Sequence, residues 1–430
     1  MASAHILISQ SGSINGTVEL SGAKNAVLVI IASLILTEGK SVLENVPASA
    51  DVQNMISLLS DLGAHISFDI ERGRLTVDTS TLNSYEVKPD VMNKMRASIL
   101  VMGPLLARFG KAKVAMPGGC LIGARPINYH LQGFKHMGVA MEEQPPFLHA
   151  TINEKQLYSR IVLEYPSVGA TENIMMFAAL GRGQTDIINA ALEPEVLDLV
   201  DILRKMGADI TINDGLNIYI KGVPTLKPVH HSIIPDRLEA GGLLLAACIT
   251  KGSITLPTAR PDHMDLFLEK LREMGHEIAV TIDPLTNKLA PGITLRATHF
   301  PRAVSFKTNP YPGFPTDLQA PTMALLCLAD GTSIVEETVF ENRMMHVSEL
   351  QKMGAQITVD RSTATIRGVE QLYGSDVIAS DIRASCALVL AGLAAQGTTR
   401  VTGIHHWRRG YDSLDRKLKS LGCSIEIVEE

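Results

Sequence analysis

Aromatic residues are scarce in this chain, 4% of 430 residues with a single tryptophan, so its interior must rest on aliphatic packing rather than on stacked rings. Cysteines number five, Cys120, Cys248, Cys327, Cys386 and Cys423. The odd count and the absence of any CxxC pair exclude a disulfide framework and point away from a zinc site, so no metal and no cofactor is expected. Charge of one sign does not predominate either: the net charge is -6 with 20% charged residues. That balance lacks the basic stripe of a phosphate-backbone binder, so no nucleic-acid partner is expected and any anion site must be local. The longest apolar runs, residues 26–36 and 384–391, fall short of a membrane span, and the first sixteen residues show no basic stretch leading into an apolar core. A cytoplasmic globular protein of two or more domains is expected, with no membrane partner.

What is present is repetition. Leu/Met-Gly recurs at Leu62-Gly63, Met137-Gly138, Met206-Gly207, Met274-Gly275, Met353-Gly354 and Leu421-Gly422, at intervals of roughly 70 residues. Ahead of it runs an apolar template spaced for one helix face: Val52, Met55, Ile56, Leu59 and Leu62 in the first copy, and Val196, Leu199, Val200, Leu203 and Met206 in the third. The glycine supplies the left-handed residue that closes such a helix. Strand-like segments with a hairpin turn follow, as in residues 65–79. A second helix in each copy, ending at Gly39, Gly110, Gly183, Gly252, Gly331 or Gly397, is apolar almost all round and so should be buried. Six copies mixing helices and strands fit two triplicated α/β domains better than a solenoid, with residues 221–232 as the linker.

The first turns of these buried helices carry Lys24-Asn25, Arg96, Val168-Gly169, Arg237, Thr316-Asp317 and Arg383. Charges seldom begin a buried helix unless they face a cleft, and helix N-termini offer free N–H groups to anions. Arg125 and Arg409, each two residues ahead of an amphipathic template, add to the set. Singly, each could be a solvated cap or a salt-bridge partner; in register, they point to one polar site. Residues 117–126, PGGCLIGARP, place Cys120 on a glycine-rich loop five residues before Arg125. A free thiol titrates near ~8.5 and a neighbouring cation lowers that, so Cys120 can exchange a proton near neutral pH. Arginine forks, one carboxylate and one thiol suit chemistry on a small, multiply charged anion.

The segments SGAKNA (21–26), KMRAS (94–98), PGGCLIGARP, SVGATENI (167–174), FPTDLQA (314–320), ETVFENRMMHV (337–347), DIRAS (381–385) and RGY (409–411) together resemble the UDP-N-acetylglucosamine 1-carboxyvinyltransferase family, end to end and in family order. The resemblance implies two inside-out α/β barrel domains of three βαββ units each, of the EPSP-synthase-like kind, with the active site between them. It places residues 1–22 with 233–430 in one domain and 23–232, carrying the Cys120 loop, in the other. The implied reaction moves the enolpyruvyl group of phosphoenolpyruvate onto the 3′-hydroxyl of UDP-N-acetylglucosamine, releasing phosphate, in a monomer that needs no cofactor. By the resemblance Cys120 is the proton donor and Asp317 orients and deprotonates the sugar hydroxyl. Lys24, Arg125 and Arg409 clamp phosphoenolpyruvate, while Asn25 and Arg96 line the sugar and phosphate site. Ser167, Val168, Gly169, Val339 and the run Arg125, Pro126, Ile127, Asn128, Tyr129 hold the nucleotide sugar, and Arg343 and Arg383 join the anion field. Two positions depart from the family: Asn128 stands where some members carry an aspartate near the uracil, and Tyr165-Pro166 replaces a lysine-containing pair beside the diphosphate. A shikimate-pathway enolpyruvyl transferase, an RNA-end-processing protein on a related fold and a catalytically silent paralogue are the competing readings.

Overall fold

A computed structural model of the protein describes residues 4–89, 95–115, 127–153, 156–213 and 215–429, the Arg96 side chain excepted. Cys120, Arg125 and Pro126 lie outside the described residues. Counting described residues, the chain divides into two compact units, one of residues 4–21 with 235–429 and one of residues 22–115 with 127–234.

The repeat is clearest in its third copy. Strand Tyr158–Val162 leads into the buried helix Val168–Ala179, strand Gln184–Ile188, the amphipathic helix Pro194–Met206 and the hairpin Asp209–Asn213 with Asn217–Lys221. The first two strands pair in parallel and the hairpin pairs antiparallel, which is a βαββ framework with an amphipathic helix inserted. Among the described residues six such sheets are present, three to a unit; five have four strands, and in the sixth a single parallel bridge, Glu86 to Lys113, takes the place of the fourth. The amphipathic template explains the surface helices: in Pro194–Met206 it buries Val196, Leu199, Val200, Leu203 and Met206, and its closing glycine, Gly207, has a φ of 106°. All six template glycines have positive φ. In the unit with residues 235–429, the apolar helices Arg237–Ile249, Gln319–Leu326 and Ile382–Ala394 touch one another pairwise inside, with strands packed outside them. In the other unit, Met102–Phe109 packs on Val168–Ala179 and on the short 3-10 turn Leu34–Leu36 that extends Lys24–Ser33.

Two sequence expectations need correction. The glycines at 39, 183, 252, 331 and 397 do not close the buried helices; those helices end several residues earlier, and only Gly110 caps its helix, at φ 69°. Nor is the stretch 221–232 a plain linker. Strand His230–Ser232 pairs in parallel with Lys40–Glu44, completing the first sheet of the unit that contains it.

The chain's beginning is woven in similarly. Asn15–Thr17 pairs in parallel with Ser253–Leu256, and His5–Ser9 lies between Thr398–Thr402 and Ile425–Val428, antiparallel to both. Ile6 and Ile8 on that strand are wholly buried, contributing about 1.5–3 kcal/mol each.

Among the described residues, the two places where the chain passes from one unit to the other, at Ser21 and Ile234, are each tied down within a unit. Ser21 donates its N–H to Glu239 Oε2 at 2.7 Å, and Lys417 Nζ reaches Glu239 Oε1 at 2.7 Å and Ser21 Oγ at 2.8 Å. At the other crossing, Ile234 N–H donates to Asp198 Oδ2 at 3.3 Å, and the buried His231 Nε2 donates to Asp198 Oδ1 at 2.9 Å. That tautomer follows from Lys205, whose ammonium donates to His231 Nδ1 at 3.1 Å and leaves Nε2 to carry the ring proton.

Candidate functional site

In the unit with residues 235–429 the candidate residues meet directly. Asp317 stands in the 3-10 turn Thr316–Leu318 that begins the buried helix Gln319–Leu326, where Pro315 in extended conformation halts the preceding chain. Its side chain is 24% exposed, and its carboxylate receives Arg343 Nη2 on Oδ1 at 2.6 Å and Arg383 Nη2 on Oδ2 at 2.8 Å. The two arginines are 4% and 5% exposed. Burial alone would raise the Asp317 pKa, but the charges of Arg383 and Arg343 and the hydrogen bonds they donate hold it far below the ordinary carboxylate range. Arg383 in turn is held well above its usual pKa: burial, the largest single influence, opposes this, and the charge of Asp317 together with Tyr411 and Asp236 outweighs it. Arg383 is the second residue of the helix Ile382–Ala394, whose cap Asp381 accepts from the N–H groups of Arg383 and Ala384. Its other nitrogen donates to Tyr411 Oη at 3.1 Å, joining the RGY motif to the same cluster. A carboxylate held this firmly as an anion is a fixed hydrogen-bond acceptor.

Arg409 departs from its expected setting. The last amphipathic segment breaks at Tyr411, so Arg409 lies half-buried in the final turn of Ile404–Gly410, ahead of a separate helix Leu414–Ser420, and not at a helix start. Val339 is half-buried on the turn after strand Thr332–Glu336.

In the other unit the candidates share a scaffold rather than a bond network. Lys24 and Asn25 open the helix Lys24–Ser33; Lys24 is buried with Nζ 3.5 Å from Asp51, whereas Asn25 is the one exposed residue of that helix. Val168 and Gly169 open Val168–Ala179 behind the cap Ser167, and Val168 is exposed although every residue from Ala170 to Ala179 is buried. Asn128, exposed, and Tyr129, half-buried, begin Asn128–His136, with Ile127 buried ahead of them. Arg96 begins the 3-10 turn Arg96–Val101, which packs on Lys24–Ser33.

Asn173, wholly buried, fastens three of these openings together. Its Nδ2 donates to Ile99 O at 2.9 Å and to His130 Nδ1 at 3.1 Å, and its Oδ1 accepts the Gly103 N–H at 2.6 Å. Gly103 is required there because a Cβ would lie 2.2 Å from the Asn173 carbonyl oxygen. Sequence reasoning missed Asn173, His130, Glu337 and Tyr411; the only signal was an amide or carboxylate inside an otherwise apolar or motif-bearing run.

Cys248, Cys327, Cys386 and Cys423 are buried free thiols. Burial pushes Cys327 up to about 12 and Cys386 and Cys423 up to about 11, and raises Cys248 further, so none is a ready thiolate. Asp198, Asp201 and His231 form the one three-residue group with metal-ligand geometry among the described residues, but the Lys205 ammonium already occupies it, 2.7 Å from Asp201. No helix of the described residues is long and apolar enough to cross a membrane.

Comparison with known proteins follows this geometry. A family model described as EPSP synthase (3-phosphoshikimate 1-carboxyvinyltransferase) matches residues 8–418. UDP-N-acetylglucosamine 1-carboxyvinyltransferase of Desulfosudis oleivorans is 47% identical, covering 98% of this chain and 99% of that protein. The protein of the same name from Geobacter metallireducens is 45% identical, with 99% of each chain covered. Among solved structures, the enolpyruvyl transferase NikO from Streptomyces tendae superposes with a TM-score of 0.89 at 24% identity over 100% of both chains. EPSP synthase from Acinetobacter baumannii does so at 0.78 and 16% identity, over 99% of this chain and 100% of that one. At those identities the structures speak for the shared fold alone. Near-full-length identity to the curated relatives speaks for more: the chain belongs to the UDP-N-acetylglucosamine 1-carboxyvinyltransferases, a branch of the EPSP synthase family.

Proposed function

We propose that the protein transfers the enolpyruvyl group of phosphoenolpyruvate to the 3′-hydroxyl of UDP-N-acetylglucosamine, releasing phosphate at the start of peptidoglycan synthesis. The observation that carries this reading is the Asp317 carboxylate gripped by Arg343 and Arg383, in a chain whose full length follows the transferases of that name. Chemically, a proton joins the methylene carbon of phosphoenolpyruvate, the sugar oxygen bonds to the neighbouring carbon, and a tetrahedral ketal forms. Loss of phosphate and of a proton from the methyl carbon then restores the double bond. Asp317, kept anionic by its depressed pKa, accepts the hydrogen bond of the attacking hydroxyl, orients that oxygen and takes its proton as the carbon–oxygen bond forms, releasing it to water once the ketal is made. Cys120 is assigned the proton donation, and Lys24, Arg125 and Arg409 the phosphoenolpyruvate clamp. Asn25 and Arg96 line the sugar and phosphate site; Ser167, Val168, Gly169, Val339, Pro126, Ile127, Asn128 and Tyr129 hold the nucleotide sugar. The working protein is a cytoplasmic monomer of two three-repeat domains, 1–22 with 233–430 and 23–232, the latter carrying the Cys120 loop.

The test is phosphate release from phosphoenolpyruvate with UDP-N-acetylglucosamine or shikimate 3-phosphate as acceptor. Turnover with the sugar nucleotide alone is expected; turnover with shikimate 3-phosphate alone would overturn the reading. Fosfomycin, an epoxide mimic of phosphoenolpyruvate, is expected to alkylate Cys120, since the four described thiols are buried and held protonated. Peptide mapping that finds the adduct on another cysteine removes Cys120 from the site.

A further inference from the structure

A buried carboxylate is costly unless hydrogen bonds fill its oxygens. Glu337, 2% exposed, meets that demand from two directions. Its Oε1 accepts the backbone N–H groups of Val339 and Phe340 at 2.9 and 3.1 Å. The Thr316 hydroxyl lies 3.0 and 2.9 Å from its two oxygens. A hydroxyl has one hydrogen to give, so Thr316 directs it to Glu337 and offers only lone pairs elsewhere. Arg343 Nη1 donates into those lone pairs at 2.8 Å while Nη2 donates to Asp317. Arg343 Nε is buried and has no hydrogen-bond partner among the described residues, so the two Nη bonds, with the Phe340 ring whose centroid lies 5.0 Å from the guanidinium carbon, set the plane of the guanidinium. The donor direction therefore runs Arg343 to Thr316 to Glu337, and whatever fixes Thr316 fixes the face that Arg343 presents to Asp317. The same Glu337 oxygen that anchors Thr316 also shapes the turn bearing Val339.

We propose that Glu337 is a positioning residue for the acceptor substrate, acting through Thr316 on the Arg343–Asp317 pair and through two backbone N–H groups on Val339. The proposal rests on the proposed function, which assigns Asp317 and Val339 to the nucleotide sugar. Because both arms of the relay end on acceptor-side groups, its loss is read in the kinetics of the sugar and not in those of phosphoenolpyruvate.

Three variants test it. Thr316→Val keeps the side-chain volume and removes the hydroxyl; Thr316→Ser keeps the hydroxyl; Glu337→Gln keeps an acceptor for the two N–H groups but turns a donor toward Thr316. Thr316→Val and Glu337→Gln are each expected to lower kcat/KM for UDP-N-acetylglucosamine by ~10- to 100-fold, as loss of a charge-assisted hydrogen bond does. KM for phosphoenolpyruvate should stay within about twofold, and Thr316→Ser should rescue most of the activity. The double variant Glu337→Gln/Thr316→Val should be no worse than the poorer single, since both break one chain. Full activity of Thr316→Val, a parallel rise in both KM values, multiplying losses in the double variant, or a lowered Tm with unchanged kinetics would each overturn the proposal. Should Glu337→Gln fail to fold, the Thr316 pair decides alone. A wild-type protein that releases no phosphate with UDP-N-acetylglucosamine overturns the proposed function instead, and the acceptor assignment with it.

Discussion

The two units prepare their candidate residues in opposite ways. In the unit with residues 235–429, Asp317, Arg343, Arg383 and Tyr411 bond to one another through buried side chains, so the charge is ordered before any substrate arrives. In the unit with residues 22–234, Asn25, Asn128 and Val168 stand exposed at helix openings, and for the openings at Asn128 and Val168 order is imposed from below by Asn173, which bonds His130 and the Ile99–Gly103 backbone. One arrangement suits chemistry, where electrostatic preorganisation stabilises developing charge. The other suits recognition, where helix-start N–H groups and exposed side chains meet a large ligand. The difference teaches that a single repeated fold places its polar residues at equivalent helix starts and then specialises them by what lies beneath.

The comparison breaks first at Asp317. Asp317→Asn should cut turnover by ~10²- to 10⁴-fold with folding retained, measured by phosphate release and circular dichroism. Asparagine is preferred to alanine because alanine would strand two buried guanidinium groups. Near-normal turnover would mean that the ordered cluster is structural. The recognition side predicts a different signature. Asn173→Ala leaves the buried Gly103 N–H unpartnered and removes one of the two donors on the Ile99 carbonyl, which keeps the Met102 N–H, and should lower stability by about 1–3 kcal/mol, visible in urea unfolding. It should weaken nucleotide-sugar binding more than it slows the chemical step.

The smallest effect concerns the crossing at Ser21. Burial raises the Glu239 pKa to about 7, against the pull of Lys417, while the unfolded chain releases that proton near ~4.3. Between those values the folded protein binds more protons than the unfolded one, so this contribution to stability is present below about 4.3 and is lost as pH rises through about 7. Glu239→Gln should flatten that slope. Urea midpoints at the two ends of the window, compared for wild type and variant, check it; identical slopes would place the proton elsewhere.

Much of this architecture is legible in the residues. The six template glycines mark helix ends because only a left-handed residue closes them, and the apolar spacing before each is dense enough to name the buried face. The polar residues that open buried helices stood out for the same reason: Asp317, Arg383 and Lys24 interrupt runs that otherwise repel charge. What escaped has a physical cause. His230–Ser232 and Asn15–Thr17 are three-residue strands with no periodicity to detect, and their partners lie far away along the chain. The break at Tyr411 that moves Arg409 to a helix end is invisible to an apolar template that runs through it. Glu337 and Thr316 stand 21 residues apart, and no local pattern says that one hydroxyl will bridge them.

The placement of His5–Ser9 inside the last sheet has a bearing on how the protein is made. Its two neighbours, Thr398–Thr402 and Ile425–Val428, lie about 400 residues further along the chain, so this strand, once synthesised, waits for both three-repeat units to emerge before it finds a partner. The unit with residues 22–234, closed by its own strand His230–Ser232, can complete its sheets while synthesis continues. Birth order and assembly order therefore differ: a strand made before either unit is the keystone of a sheet closed after both, and until then Ile6 and Ile8 are sticky residues that a nascent chain must keep from other strand edges.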